Sequence, residues 1–453
     1  MPATRIPGPP GLPFIGSLLD LTRNPLRTYL DARRDYGDVV RFSAGPPGLR
    51  VEFYMVFSPE GAQQVLGGQA ANFRKENVLY EEVRTSIGNG LLTAQDADYQ
   101  RQRRLIQPLF TRRRVDGYAD AIGVEAEALV ERWAAVPDGV VDAVGEMSRF
   151  ALRAVARILF GTDVEAAIGA VRSSFPVLGA YILERGFAPV RVPRQWPTPG
   201  NRRALAAQEE LYGVCDAIIE RRAGAAERGG AEPDDLLGLL AAARGEDGER
   251  LDAAELRDQV LVFLLAGHET TATSLTFALH LLGRHPEEQK RAREEIEEVL
   301  GDRRPEAGDL ERLPYLTRVL KEAMRLYPAA GVIGRRAVAE CEIGGRLIPA
   351  GAEVVLSPWV THRHPDHWED PDRFDPDRFT PEREAARHRY AWYPFGGGPR
   401  ACIGQHFSML ESVLALAALL RAFEVEAVDT EVPVGQALTL HADGPARIRL
   451  TAR

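Results

Sequence analysis

The stretch Phe395-Gly-Gly-Gly-Pro-Arg-Ala-Cys402-Ile-Gly404 decides how this chain is read. It sets one cysteine on a glycine-rich turn directly before an apolar run, in which Phe407, Leu410 and Leu414 recur at helical spacing. A thiolate needs compensation for its charge, and the backbone N–H groups of a tight turn feeding a helix N-terminus supply it. The spacing predicts a core-packed helix beginning at Cys402 or Ile403. A lone cysteine is more commonly a small buried hydrophobe. A phosphate cradle needs Gly-Lys-Ser/Thr where this loop has Pro-Arg-Ala-Cys, and a dinucleotide fingerprint does not admit Pro399 and Arg400 inside it. The choice between a metal-bound thiolate and an inert thiol rests on the rest of the chain.

Working outward, Glu322-Ala-Met-Arg325 places an acid and a base at i, i+3 on one helix face, a weak signal by itself. Two similar segments follow, Pro371-Asp-Arg373-Phe374 and Pro376-Asp-Arg378-Phe379. Further upstream lies Ala266-Gly-His-Glu-Thr-Thr271, inside a helical pattern that runs from about Asp252 to His285. Asp252 is placed to cap that helix and Pro286 to end it, giving a span of roughly 50 Å at 1.5 Å per residue. Polar residues in the middle of so apolar a helix must be paired or must serve something. A threonine there returns its hydroxyl to the preceding turn, and Gly267 leaves out bulk, so a small gap is expected beside the helix. His268-Glu269 is not a zinc-protease helix, because the second histidine would fall at position 272, which is Ala.

Taken together, these segments resemble the cytochrome P450 family, and the resemblance covers nearly the whole chain. It implies a mainly α fold with a small β-rich subregion, and a single domain over residues 1–453. It implies haem b as cofactor, with Cys402 as the axial ligand of the haem iron and Phe395 and Gly396 in the haem loop. Glu322, Arg325 and Arg378 would form a structural network, with Arg373 as the other candidate for its second arginine. Bidentate arginine–carboxylate contacts suit that task because they fix orientation as well as charge. Glu269 and Thr270 match the family's acid–threonine pair, which manages protons during dioxygen activation. Tyr99 and Arg103 match a Trp-x-x-x-Arg pattern with tyrosine in place of tryptophan. With Arg335 and Arg400 they would meet the haem propionates.

The resemblance also places a substrate wall at Phe73, Leu79, Ile87, Leu91, Phe175 and Leu178, and at Phe263, Ala266, Gly267, Ala330, Val332 and Ile333. That lining is apolar and implies a hydrophobic substrate of terpenoid, fatty acyl, steroid or polyketide type. The implied activity is monooxygenation with dioxygen. With no flavin or nicotinamide motif in the sequence, electrons would come from a ferredoxin with its reductase, or from a flavodoxin. A peroxide-using haem-thiolate enzyme and a non-catalytic haem sensor or ligand carrier are the competing readings, and the acid–threonine pair argues against both.

Composition agrees. At 453 residues, the chain carries no linker long enough to part independent cores, and Ala223–Asp234 reads as a surface loop. Its net charge of −9 argues against a nucleic-acid partner, although arginines cluster at 101, 103, 104 and 112–114. Three cysteines make no disulfide framework, which points to a reducing cytoplasm. No run approaches the roughly 18 apolar residues of a membrane span. Ile6-Pro-Gly-Pro-Pro-Gly-Leu-Pro13 resembles the family's proline-rich opening segment without the membrane anchor of microsomal members. Strands are expected at Val39–Phe42, Val51–Phe57, Val354–Ser357 and Leu438–Leu440.

Overall fold

Asp252 caps the longest helix among the described residues, Ala253–Arg284, through a reciprocal capping box with Glu255. The computed structural model describes residues 6–46, 48, 50–161, 165–188, 191–227, 235–245 and 248–453. They fall into two compact units, each assembled from separated stretches of sequence. Residues 1–80, 321–402 and 438–441 make the first, and residues 81–320, 403–437 and 442–453 the second.

The first unit is organised by a mixed five-stranded sheet. Strand Val39–Ala44 pairs antiparallel with Val51–Val56, which runs parallel to Glu353–Leu356. Ile333–Ala337 pairs antiparallel with that strand, and Phe73–Arg74 closes the edge beside it. β-Branched and aromatic residues make these segments strands, and Val39, Val56, Phe73, Val354 and Leu356 share one buried cluster with Tyr390 and Tyr393. Three of the expected strands are thus present with ends shifted by a residue or two. The fourth lies later, at Leu440–Ala442 rather than at 438–440.

The second unit is built around the Ala253–Arg284 helix, whose side chains are buried on nearly every face. Ala143–Phe160 and the C-terminal helix Gln405–Ala422 pack against it. Strand Arg447–Ala452 pairs with Val140–Asp142 and Phe423–Ala427 at one side. The central helix is the one described helix long and apolar enough to cross a bilayer, and most of that apolar length is buried inside the protein. Pro286 does more than end it: Pro286 is also the first residue of the next helix, Pro286–Leu300, where its missing N–H costs nothing. Two expectations need correction. The C-terminal helix starts at Gln405 with Gly404 as its cap, so Cys402 and Ile403 belong to the turn. Of the expected loop at Ala223–Asp234, residues 223–227 continue the helix Pro199–Glu227, and 228–234 lie outside the described residues.

Candidate functional site

In the first unit the cysteine loop is held by its own backbone. The Cys402 amide donates to the Phe395 carbonyl at 2.9 Å and the Gly396 amide to Tyr393 at 2.9 Å. Gly398 has φ +62°, and a Cβ there would stand 1.7 Å from the Leu66 carbonyl oxygen, so only glycine closes this turn. The result is a sulfur presented outward: Cys402 is exposed, whereas Cys215 is buried and its thiol pushed up to about 12 by that burial. Cys341 sits half-buried in a short strand.

Cations gather at the same loop. Arg335 is 5% exposed and Arg400 half-buried. Lys75, which sequence reasoning missed, is 8% exposed with its ammonium 5.2 Å from the centre of the Tyr80 ring. Burial, and then repulsion from Arg335 and Arg400, hold the Lys75 ammonium well below the usual lysine range, with Cys402 acting in the opposite sense. Three cations acting on one another at this loop make a place where bound anionic groups would relieve their repulsion. The only signal for Lys75 in the sequence was its position in the run from Phe73.

Behind the loop, in the same unit, lies the acid–base network. Arg325 and Glu322 are both fully buried and joined by two bonds of 2.7 Å, Nε to Oε2 and Nη2 to Oε1. The remaining Arg325 donors reach the carbonyls of His362, Pro371 and Arg373. Arg378 Nε stands 3.4 Å from Glu322 Oε1 while its other nitrogens hold the carbonyls of Glu369 and Asp370. Arg373 contributes only its carbonyl and its side chain is exposed, which selects Arg378. Burial raises the Glu322 carboxyl above its usual range, and Arg325 followed by the Asp375 amide and Arg378 pull it back.

In the second unit the central helix carries the polar segment. Ala266 is exposed within an otherwise buried run, and Glu269 and Thr270 are half-buried, so the helix faces open space there. Thr270 Oγ1 donates to the Ala266 carbonyl at 2.8 Å, as expected of a hydroxyl folded back on its own turn. The helix nevertheless stays continuous. Gly267 corrects an expectation: its missing Cβ would meet Val155 Cγ2 at 3.1 Å, so the glycine lets two helices approach and does not line the gap. His268 is a satisfied core histidine, with Nδ1 2.9 Å from the Leu264 carbonyl and its ring edge-on to Phe175.

Tyr99 and Arg103 share one face of helix Asp96–Ile106, and Arg103 Nη1 donates to the Tyr99 hydroxyl at 3.1 Å. The residues expected to form a substrate wall are found in both units. Phe175, Leu178 and Phe263 cluster around the central helix, with Phe263 against Phe110 at 5.2 Å between ring centres. Ile87 and Leu91 are buried near its first turns, where Gln259 accepts the Leu91 amide. Leu79, Ala330, Val332 and Ile333 are half-buried. Phe73 is part of the sheet core.

Comparison with known proteins agrees with this geometry. The family model described as cytochrome P450 matches residues 6–443. Pentalenene oxygenase of Streptomyces avermitilis is 37% identical, covering 98% of this chain and 97% of that protein. Cyclooctat-9-en-7-ol 5-monooxygenase of Streptomyces melanosporofaciens is 36% identical, covering 94% and 91%. The crystal structure of the cytochrome P450DA haem domain superposes with a TM-score of 0.87 at 29% identity, over 100% of this chain and 98% of that one.

Proposed function

Because this chain belongs to the cytochrome P450 family and is a haem-iron monooxygenase, we propose that it oxidises a terpenoid, with haem b held by Cys402 and electrons delivered by a ferredoxin and its reductase. The single observation that carries the chemistry is the outward-facing Cys402 on a loop that only glycine can close, with Lys75, Arg335 and Arg400 around it. These residues suit a haem. Cys402 as a thiolate would hold the iron, and Lys75, Arg335 and Arg400 would suit the cofactor's carboxylates, with Tyr99 and Arg103 as further partners. When bound, the haem supplies activation of dioxygen and insertion of one oxygen atom into an unactivated bond.

The protein's own tasks follow from its side chains. Thr270 and Glu269 hold and pass protons at the open side of the central helix, and Phe175, Leu178 and Phe263 keep water away from an apolar substrate. The terpenoid reading draws on the names of the two Streptomyces relatives and on this lining. We take residues 1–453 as a single domain, because neither unit is a contiguous piece of sequence. We place the protein in the cytoplasm.

The test joins a ligand spectrum to turnover. Haem-loaded protein should give a far red-shifted Soret band when reduced under carbon monoxide, and Cys402→His should lose it. Pentalenene should displace the resting haem spectrum toward high spin and be oxygenated with a surrogate ferredoxin, reductase and NAD(P)H. A retained band in Cys402→His would refute the ligand. Turnover with peroxide alone, and none with the donor system, would overturn the electron route. Preference for a fatty acid over every terpenoid tried would overturn the substrate class.

A further inference from the structure

Glu411 lies in the interior of helix Gln405–Ala422, nine positions after Cys402, and none of it is exposed. The other glutamates buried to a similar degree each meet two arginines. Glu82 faces Arg185 and Arg194, Glu125 faces Arg153 and Arg157, and Glu322 faces Arg325 and Arg378. Glu411 meets none. Among the described residues neither carboxyl oxygen has a partner of ordinary hydrogen-bond geometry, and the polar group that acts on the carboxyl is the Thr271 hydroxyl. Burial drives its proton affinity well above that of an ordinary carboxyl. An ionised carboxylate without a cation is not tolerated in so apolar a setting, whereas a neutral acid needs only one acceptor for its O–H.

Thr271 is 1% exposed and belongs to the central helix, one residue after Thr270. Successive helix positions differ by about 100°, so Thr270 faces the open side while Thr271 turns into the packing against helix Gln405–Ala422. Both helices belong to the second unit and pack directly on each other. We propose that Glu411 is a positioning residue, a neutral acid whose contact with Thr271 fixes the rotation of the central helix and thereby the aim of Glu269 and Thr270. This rests on the role given above to the acid–threonine pair. It also ties the helix that follows the cysteine loop to the helix that manages protons, through a group neither helix would otherwise bury. Glutamine can replace it by offering an amide donor and acceptor of the same length, whereas leucine fills the space and leaves Thr271 unmet.

Two measurements separate this proposal from the reading beneath it. Difference infrared spectroscopy of the haem-loaded wild type against Glu411→Gln should reveal the C=O stretch of a protonated carboxyl, and Thr271→Val should move that band to higher frequency. Absence of the band, or a band unmoved by Thr271→Val, overturns the proposal whatever the substrate. In turnover with pentalenene and a surrogate ferredoxin system, Glu411→Leu should lower product per NAD(P)H about fivefold, the ratio that one net hydrogen bond represents. Glu411→Gln should restore most of that loss, and Glu411→Leu combined with Thr271→Val should be no worse than either alone. Wild-type coupling in Glu411→Leu, alongside a loss in Thr270→Ala, overturns the positioning role only. Wild-type coupling in both overturns the acid–threonine reading as well.

Discussion

Removing Arg325 should do more damage than removing any other member of the buried network. Arg325→Ala deletes five hydrogen bonds, two to Glu322 and three to the carbonyls of His362, Pro371 and Arg373. It also takes away the guanidinium lying 4.9 Å from the centre of the Trp368 ring. Glu322 keeps the Asp375 amide at 3.0 Å and the more distant Arg378. Breaking a buried pair in this way costs about 3–5 kcal/mol, a large part of a typical stability of about 5–15 kcal/mol. Arg378→Ala leaves the bidentate pair whole and should cost about 1–3 kcal/mol, the penalty of orphaned carbonyls. Adding Glu322→Gln to Arg325→Ala removes the uncompensated charge and should recover part of the loss, while the three carbonyls stay unmet. Urea unfolding midpoints read by circular dichroism, with haem retention read in parallel, would rank the three variants. If Arg325→Ala lies within about 1 kcal/mol of wild type, or if Arg378→Ala is the worse, the network does not carry the load assigned to it.

Thr270→Ala should keep haem content and donor-driven NAD(P)H consumption but divert flux from product to hydrogen peroxide, and Thr271→Ala should do so less; unchanged coupling in Thr270→Ala would remove the hydroxyl from the mechanism. Lys75→Met should relieve repulsion with Arg335 and Arg400 in the haem-free protein while weakening the hold on a propionate, so haem should pass to apomyoglobin about tenfold faster, the ratio of one charge-assisted hydrogen bond. An unchanged transfer rate would place Lys75 outside the cofactor's reach. His280 is held at about 4, first by burial and then by Arg284, with Asp429 opposing. The neutral form is therefore the one that fits, and its contribution is complete above the unfolded value of about 6.5 and lost as pH falls toward about 4. His280→Leu should flatten stability against pH within that window, and an undiminished slope would assign the acid loss to other groups.

Much of the fold could be read from punctuation and period. Asp252 and Glu255 announce the start of the central helix, and its apolar run announces burial, because both signals are local. Periodicity places the start of the C-terminal helix too early because it says nothing about where a loop releases the chain. The Phe395 carbonyl holds the Cys402 amide, and the helix begins only at Gln405. The two near-identical segments do not by themselves separate Arg378 from Arg373, and only the resemblance favours Arg378, since the difference lies in which side chain the fold turns inward. Lys75 and Glu411 were invisible for the same reason. A lysine after a short strand reads as a solvated charge, and a glutamate in an apolar, core-packed helix gives no sign of what it meets until tertiary packing is known. Gly267 shows the converse, as a small residue in a polar segment whose space is taken by Val155 of a helix distant in sequence.

The central helix resolves a conflict that its sequence poses. Burying a polar segment in the longest apolar helix carries a cost that each polar residue must offset, and each does so differently. His268 gives Nδ1 to the Leu264 carbonyl, and Thr270 gives its hydroxyl to the Ala266 carbonyl. Both satisfy themselves within their own turn and need no partner elsewhere. Thr271 turns instead to a neighbouring helix, where it meets an acid without a counter-charge among the described residues. Thr270 is therefore free to exchange its intrahelical bond for a ligand without disturbing the packing, while Thr271 is not. Two adjacent hydroxyls of identical chemistry are divided by helix geometry into one that can act and one that holds it in place. That is why substitution at the second should be felt through the first.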